Sequence, residues 1–235
     1  MRKMLEWLPM QYMLDTLSEN PNLAKYYEGE KACAVLFGHS LFIGGAYDRE
    51  TALYLAKNMR AEDGTIVYCP DEAWLDGLRE ICDDAKVYRR AMLAVKPYPH
   101  DGRNDAIMRI DTGALEKYGN AEMFTEEVLG TGTYLSMADF FARGIGFAPV
   151  YDGALRGFCT SEYPSRGKCA IGIYVDEAYR GRGLAADLTR AFLNTAHEMG
   201  MDTVYWECWA NNAPSIQTAL KCGFEKQAEY EVLVI

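Results

Sequence analysis

The segment between residues 175 and 198 constrains the fold of this chain more than any other part of the sequence. An apolar run ends at Val175, a turn containing Gly181 and Gly183 follows, and apolar side chains then recur every four residues, at Leu184, Leu188, Phe192 and Ala196. This spacing places them along one face of a helix. A strand that passes through a glycine-rich turn into an amphipathic helix is typical of α/β domains.

The same turn has the composition of an anion-binding site. Glycines let the backbone approach a ligand closely and adopt positive φ angles, and the N–H groups of the first helical turn point at an anion. Arg180 and Arg182 add planar guanidinium groups that suit phosphate oxygens. An ordinary β–α turn with solvated arginines is the alternative, and a pair of glycines alone would favour it.

A three-stranded antiparallel meander is predicted to lead into this turn. Gly146–Tyr151 and Ala154–Ser161 are apolar runs joined by Asp152 and Gly153, a pair that tolerates the positive φ angles of a type I′ hairpin turn. A second turn is predicted between residues 164 and 167, and Cys169–Val175 is the third strand.

The first part of the sequence carries its own α/β pattern. Its apolar runs predict strands at Ala32–Phe37, Leu41–Ile43, Thr65–Cys69 and Val87–Val95, with a helix that begins at Asp71. A turn-rich stretch from Lys96 to Asp105 interrupts the pattern, and helices are then predicted around Glu122–Leu129 and Ser136–Arg143. We therefore predict a mixed α/β fold with a mixed sheet and two domains, a smaller N-terminal α/β domain of residues 1–111 and a second domain of residues 112–235.

Two motifs in the second domain occur together and in order. Arg180, Gly183 and Ala185 follow a predicted strand in the pattern Arg-x-x-Gly-x-Ala, and Asn212 lies twelve residues before Phe224, the Phe of a Gly-Phe pair. With these motifs the chain resembles the GNAT superfamily of acyl-CoA N-acyltransferases, over roughly residues 123–235. A narrower resemblance is to bacterial GNAT proteins with an N-terminal extension, a group that includes enzymes similar to zwittermicin-resistance acetyltransferases.

The resemblance implies a C-terminal GNAT fold that binds acetyl-CoA and passes its acetyl group directly to a primary amine of a small molecule. It also implies that the strand ending at Val175 splays away from the strand of residues 205–209, so that the pantetheine arm of CoA lies in the gap. The residues implied to bind the cofactor are Ile173, Val175, Arg180, Gly181, Arg182, Gly183, Leu184, Ala185, Asn212 and Ser215. A non-catalytic acyl-CoA sensor or scaffold is one alternative, and a protein or peptide N-acyltransferase is another.

Two carboxylates are candidates for the general base that takes a proton from an ammonium acceptor. Glu207 lies in the predicted strand beside the gap, and Glu162 follows the strand that ends at Ser161; for either, a solvated surface carboxylate is the alternative. Many GNAT enzymes carry a Tyr five residues before the Phe of the Gly-Phe pair as general acid, but here that position is Ala219. Ser215 or water is therefore the candidate proton donor to the departing thiolate.

The composition limits the remaining functions and partners. A net charge of −10 without a block of Lys or Arg argues against a nucleic-acid partner, and no apolar stretch approaches the ~20 residues of a membrane span. The seven cysteines lie mostly in apolar runs without CxxC spacing, which predicts buried thiols in a reducing, cytoplasmic setting. The three histidines lack metal-ligand spacing, so no metal site is predicted.

The first domain is open to three roles: completing the acceptor pocket, stabilising the second domain or forming a homodimer.

Overall fold

The structure of the chain, a computed structural model, describes residues 1–61, 64–100, 102, 104–118 and 120–235. These residues fold into two compact units. The first unit comprises residues 1–91, 209–211 and 228–235, and the second comprises residues 92–208 and 212–227. The predicted domain boundary between residues 111 and 112 therefore falls inside the second unit.

The first unit is built on a meander followed by helix-linked strands. Its elements are α1 (Gln11–Glu19), β1 (Ala24–Glu28), β2 (Ala32–Phe37), β3 (Ser40–Gly45), α2 (Arg49–Asn58), β4 (Ile66–Tyr68), α3 (Glu72–Ile81) and the start of β5 (Lys86–Val95). Strands β1, β2 and β3 pair antiparallel in that order, and β3 pairs parallel with β4. A late strand, β12 (Glu225–Val234), then returns to this unit and pairs antiparallel with β4 through Leu233 and Val234.

Helix α3 confirms the predicted helix that begins at Asp71. The Asp71 side chain accepts a hydrogen bond from the backbone N–H of Trp74 at 3.1 Å, which satisfies an N–H group of the first turn. Trp74 and Leu78 are buried on the face that joins the core of the unit, and Leu233 belongs to the same core. Trp74 and Leu78 therefore lie on the packed face of the helix.

The return of β12 to the first unit predicts a stability effect at a residue distant in sequence. Leu233 is 0% exposed and packs in the core of this unit. Leu233→Ala should lower the free energy of unfolding by about 2–5 kcal/mol, since it leaves a cavity. Leu53→Ala, the same change at a side chain that is 48% exposed on α2, should change it by less than about 0.5 kcal/mol. Urea titration measures both, and equal effects would contradict the placement of Leu233.

The second unit contains most of the remaining elements. They are β6 (Ile107–Arg109), α4 (Thr112–Lys117), α5 (Glu122–Gly130), α6 (Met137–Arg143), β7 (Gly146–Tyr151), β8 (Ala154–Leu155), β9 (Gly157–Ser165), β10 (Lys168–Val175), α7 (Leu184–Glu198), β11 (Thr203–Trp209) and α8 (Ala213–Lys221). Strands β6, β7, β9 and β10 pair antiparallel in that order, and β10 pairs parallel with β11. The predicted helices before the meander are confirmed as α5 and α6, the latter capped by Ser136.

Residues 92–111 fold with the second unit because their contacts are made there. Strand β6 pairs with β7 through Ile107 and Pro149. The Tyr98 hydroxyl donates to the backbone carbonyl of Cys222 at 3.1 Å, and the His100 N–H donates to Asn194 Oδ1 at 3.0 Å. The unit therefore begins at Met92, upstream of both the turn-rich stretch and the predicted boundary.

The two predicted hairpin turns are confirmed, with one change in the strands between them. Asp152 and Gly153 have φ angles of 53° and 71°, the two positive values of a type I′ turn. The predicted strand Ala154–Ser161 is broken at Arg156, next to Gly157, whose φ of 146° is open only to glycine, so it becomes β8 and β9. The second turn is formed by Arg166 and Gly167, with φ angles of 49° and 74°.

The two units share an order of elements. In each, an antiparallel three-stranded meander leads into a helix, a strand parallel to the last meander strand, and a second helix. In the first unit this order is β1, β2, β3, α2, β4 and α3. In the second it is β7, β9, β10, α7, β11 and α8.

Two general expectations can be compared with the described residues. All seven cysteine side chains are buried, as predicted, and burial raises the pKa of the Cys69 thiol to about 12. Across the described ranges, no helix is both long and apolar enough to cross a bilayer.

Candidate active site

A gap opens between two neighbouring parallel strands of the second unit. Strands β10 and β11 pair only through the first three residues of each, from Lys168 opposite Thr203 to Ala170 opposite Tyr205. Both strands continue, β10 to Val175 and β11 to Trp209, while the other edge of β10 stays paired with β9 as far as Val175. Beyond Ala170, the described ladder therefore leaves one edge of β10 facing the gap.

The backbone groups that face this gap can be identified from the period of the strand. The Gly167 carbonyl accepts the Thr203 N–H at 3.3 Å, and alternate residues of a strand direct their backbone groups to the same side. The polar groups of Ile173 and Val175 therefore point toward the gap. The Val175 carbonyl accepts the Nε–H of Arg180 at 2.9 Å, so this arginine closes one end of the exposed edge.

The glycine turn lies immediately after β10 and is open. Residues 180–183 are all exposed, and Gly181 and Gly183 have φ angles of 74° and 82°. A Cβ atom added to either glycine would meet no other atom within 4 Å among the described residues. The turn is therefore held by backbone conformation, and nothing in the described chain covers it.

Helix α7 begins with its N–H groups uncapped by a side chain. Its N-cap is Gly183, and the first intrahelical bonds run from the N–H groups of Ala186 and Asp187 to the Gly183 carbonyl, at 3.0 and 3.1 Å. The N–H groups of Leu184 and Ala185 precede these bonds and belong to the set that a helix cannot satisfy internally. The start of α7 thus presents the donors that bind phosphate groups at helix N-termini.

Two arginines are held along this turn by hydrogen bonds and ring contacts. The Arg180 guanidinium carbon lies 5.7 Å from the centroid of the Tyr174 ring. Arg182 donates to the Ala178 carbonyl at 3.1 Å and lies 4.8 Å from the Tyr179 ring. A guanidinium has five N–H donors, so each side chain is oriented by some donors and keeps others for a ligand.

Helix α8 places Ser215 and Asn212 next to β11. Asn212 caps the helix, because its Oδ1 accepts the Ser215 N–H at 3.2 Å. The Ser215 hydroxyl oxygen accepts the indole N–H of Trp206 at 3.0 Å. Since an indole N–H can only donate, the hydroxyl hydrogen of Ser215 is left to donate to another group. Ala219, at the position of the family's Tyr, is 0% exposed and presents no polar group.

The two candidate carboxylates lie on one face of the sheet. Ala170 is opposite Glu162 on one side and opposite Tyr205 on the other, and directly opposed residues share a face. Glu207 is two residues beyond Tyr205 and therefore shares that face. Both carboxylates are half-buried. The structure thus places on one face of the sheet two residues separated by 45 positions in sequence.

Glu162 is directed over β10 at the level where the gap begins. A Cβ atom placed on Gly172 would collide with its Oε1 atom and would lie 3.1 Å from the Thr160 hydroxyl oxygen. Gly172 therefore leaves the space that the Glu162 carboxylate occupies. Sequence reasoning missed Gly172, Thr160 and the bond from Trp206, because these depend on cross-strand register, which single-sequence patterns do not fix.

Among the residues that the structure describes, no group of three or more His, Cys, Asp or Glu side chains is arranged to hold a metal ion.

Known proteins resemble the chain over nearly its whole length. A family model described as GNAT acetyltransferase matches residues 23–233. An uncharacterized N-acetyltransferase, YdfB of Bacillus subtilis (strain 168), is 24% identical over 197 residues, which cover 81% of this chain and 70% of the relative.

Solved structures show the same fold. A GCN5-related N-acetyltransferase-like protein from Streptococcus suis 89/1591 superposes with a TM-score of 0.77 at 20% identity, covering 99% of this chain and 95% of that one. A GCN5-related N-acetyltransferase from Kribbella flavida gives a TM-score of 0.62 at 14% identity, covering 95% and 93%. Because the family match spans both units and includes the gap, the glycine turn and the start of α7, the chain belongs to the GNAT acetyltransferase family.

Proposed function

We propose that this acetyltransferase uses acetyl-CoA and acetylates a primary amine of a small molecule. The observation that supports this most is the continuity of the site: the exposed edge of β10, the open glycine turn and the uncapped start of α7 follow one another between residues 171 and 185. A ligand that carries both an amide-rich arm and a diphosphate matches this succession of backbone and cationic donors.

The proposed binding residues divide by the part of acetyl-CoA that they suit. The backbone groups of Ile173 and Val175 suit the amides of the pantetheine arm, because an extended ligand can pair with an exposed strand edge. The turn and helix start suit the diphosphate, through Arg180, Gly181, Arg182, Gly183, Leu184 and Ala185. Asn212 and Ser215, at the start of α8, lie on the opposite side of the gap from β10.

The acceptor is proposed to enter over the sheet face that carries Glu162 and Glu207. Carboxylates on that face attract a cationic amine, and the net charge of −10 acts in the same direction. A thioester is already activated, so the protein has to hold a neutral amine beside it and remove a proton. We propose that Glu162 accepts this proton, because Gly172 makes room for the Glu162 carboxylate at the gap.

The leaving thiolate is proposed to receive a hydrogen bond from Ser215. Its hydroxyl oxygen is already engaged by Trp206, which orients the remaining O–H. A thiol has a reference pKa of about 8.5, so the thiolate needs little assistance. A hydrogen bond from Ser215 is therefore sufficient to stabilise the thiolate at a site where the family's Tyr is replaced by buried Ala219.

Release of free thiol from acetyl-CoA tests the proposal. The purified chain is incubated with acetyl-CoA and, in separate reactions, with simple amines, diamines, amino sugars and a peptide with a free N-terminus. Amine-dependent thiol release with a small molecule is expected. Turnover on the peptide alone would favour a peptide acyltransferase. Tight calorimetric binding of acetyl-CoA without turnover on any amine would favour a non-catalytic sensor, a function suggested by Ala219 at the position of the usual Tyr. The seven buried thiols favour a reducing, cytoplasmic setting for the protein.

A further inference from the structure

Thr160 carries a buried hydroxyl with no protein partner. The residue is 1% exposed, and its Oγ atom makes no hydrogen bond among the described residues. Buried polar groups are nearly always hydrogen-bonded, and an exception calls for an ordered water, an ion or a functional role. Thr160 lies on β9, directly opposite Gly172 of β10.

The Thr160 hydroxyl and the Glu162 carboxylate face the same point above Gly172. A Cβ atom on Gly172 would touch Glu162 Oε1 and lie 3.1 Å from Thr160 Oγ, yet the two oxygens are not bonded to each other. The carboxylate oxygen fills the space above Gly172 and the hydroxyl oxygen lies close to the same point, so one water molecule beside them can contact both. A water held in a buried site requires two to four polar partners, and this position offers them.

We propose that Thr160 and Glu162 hold one water molecule between them, and that Thr160 is a positioning residue for proton removal from the acceptor. The inference rests on the proposed function. One proton passes from the acceptor ammonium through this water to the Glu162 carboxylate. The neutral nitrogen then bonds to the thioester carbonyl carbon as the C–S bond breaks, and the second proton leaves nitrogen for the thiolate sulfur.

Thr160→Val tests this role, because it removes the hydroxyl and keeps the shape. The variant should unfold at the same or a higher temperature than wild type, since an unpartnered buried hydroxyl is lost. Its kcat should fall about tenfold or more, as expected for impaired proton transfer, while KM for acetyl-CoA stays unchanged. Thr160→Ser, which restores the hydroxyl, should recover most of the kcat.

Wild-type kcat in Thr160→Val, or a loss that Thr160→Ser does not repair, would overturn the inference. A crystal structure at high resolution supplies a separate readout that needs no acceptor. Density for a water within hydrogen-bonding distance of Thr160 Oγ and a Glu162 oxygen supports the inference, and its absence refutes it. If the wild type acetylates no amine, the proposed function fails, but the electron density still decides whether the water is present.

A different observation carries a second inference, on the first unit. Strand β3, like β10, pairs in parallel with the next strand only through its first three residues, Ser40, Leu41 and Phe42. The His39 carbonyl accepts the Ile66 N–H, so the carbonyls of residues 43 and 45 point to the same side. The Ile43 carbonyl accepts the Trp7 indole N–H at 3.1 Å, and the Gly45 carbonyl accepts that of Trp74 at 3.0 Å. Two tryptophans therefore occupy the edge that in β10 is exposed.

The helix start of the first unit is also closed. Asp48 caps α2, and its carboxylate accepts both the N–H and the hydroxyl of Thr51, at 3.0 and 2.8 Å. The hydrogen bond from the Thr51 N–H, and after it the one from the Thr51 hydroxyl, hold the pKa of the Asp48 carboxyl below its usual value. An ionised carboxylate at this position occupies the donors and repels a phosphate.

We infer that the first unit is a second copy of the acyltransferase fold whose ligand gap is sealed, so that each chain binds one acetyl-CoA. Calorimetric titration of the wild type should give one equivalent per chain, and Gly183→Asp should strongly weaken that binding without exposing another site. Two equivalents, or one that the variant binds with unchanged affinity, would refute the seal. No binding to the wild type would refute the proposed cofactor but agree with a sealed first unit.

Discussion

Replacing Gly183 with Asp should weaken acetyl-CoA binding by about 100-fold or more. The residue has a φ of 82°, which an Asp adopts only with strain, and it is the N-cap of α7. An Asp side chain there would accept the helical N–H groups that are proposed to hold the diphosphate, and its charge would repel the ligand. Loss of hydrogen bonds to a charged group costs about 1.5–3 kcal/mol, or about 10- to 100-fold in affinity, before repulsion is added.

Gly200→Asp is the matched control for this experiment. Gly200 also has a left-handed φ, 71°, and an added Cβ atom there would meet nothing within 4 Å. It follows the other end of α7, so the same substitution carries a similar backbone strain far from the turn. Calorimetry should give near wild-type affinity for Gly200→Asp and a clear loss for Gly183→Asp and, to a smaller extent, Arg180→Ala. Equal affinity in all three variants would show that the turn is not part of the binding site.

The second large effect is expected at the carboxylates. Glu162→Gln keeps the size of the side chain and removes its ability to accept a proton, so turnover should fall by about 100- to 10,000-fold. Acetyl-CoA affinity should be retained, because Glu162 lies on β9 and outside the glycine turn. Single-turnover acetylation separates the chemical step from binding.

Glu207→Gln is the paired variant, with the same substitution on the same face of the sheet. Glu207 lies on β11, and among the described glycines none has the Glu207 carboxylate beside its Cα atom as Gly172 has that of Glu162. We expect a smaller loss of turnover for Glu207→Gln. If the order of the two effects is reversed, Glu207 is the base and Glu162 shapes the acceptor site.

Local chemistry explains the parts of the fold that the sequence alone could predict. Asp152 and Gly153 define a type I′ turn through their own backbone preferences, and the stripe that begins at Leu184 defines α7 through its period. The open anion-binding turn could be predicted for the same reason, since its glycines, arginines and helix start are consecutive. These features need no knowledge of what lies next to them in space.

Features that depend on distant partners were harder to predict. Strand β12 begins at Glu225, in exposed residues that are weak in strand propensity, so its start cannot be located from the local sequence. Strand β6 was missed because its pairing with β7 is non-local. Within the site, the juxtaposition of Thr160, Glu162 and Gly172 follows from register, which no local pattern specifies.

The return of residues 228–235 to the first unit sets an order of events during synthesis. The ribosome makes the meander β1–β3 early, but β4, which pairs with β3 on one side, acquires its second neighbour only when Leu233 and Val234 have been translated. Until then one edge of β4 stays unpaired, a condition that invites association with other chains. The first unit can therefore begin to fold early and yet is completed only after most of the second unit has been translated.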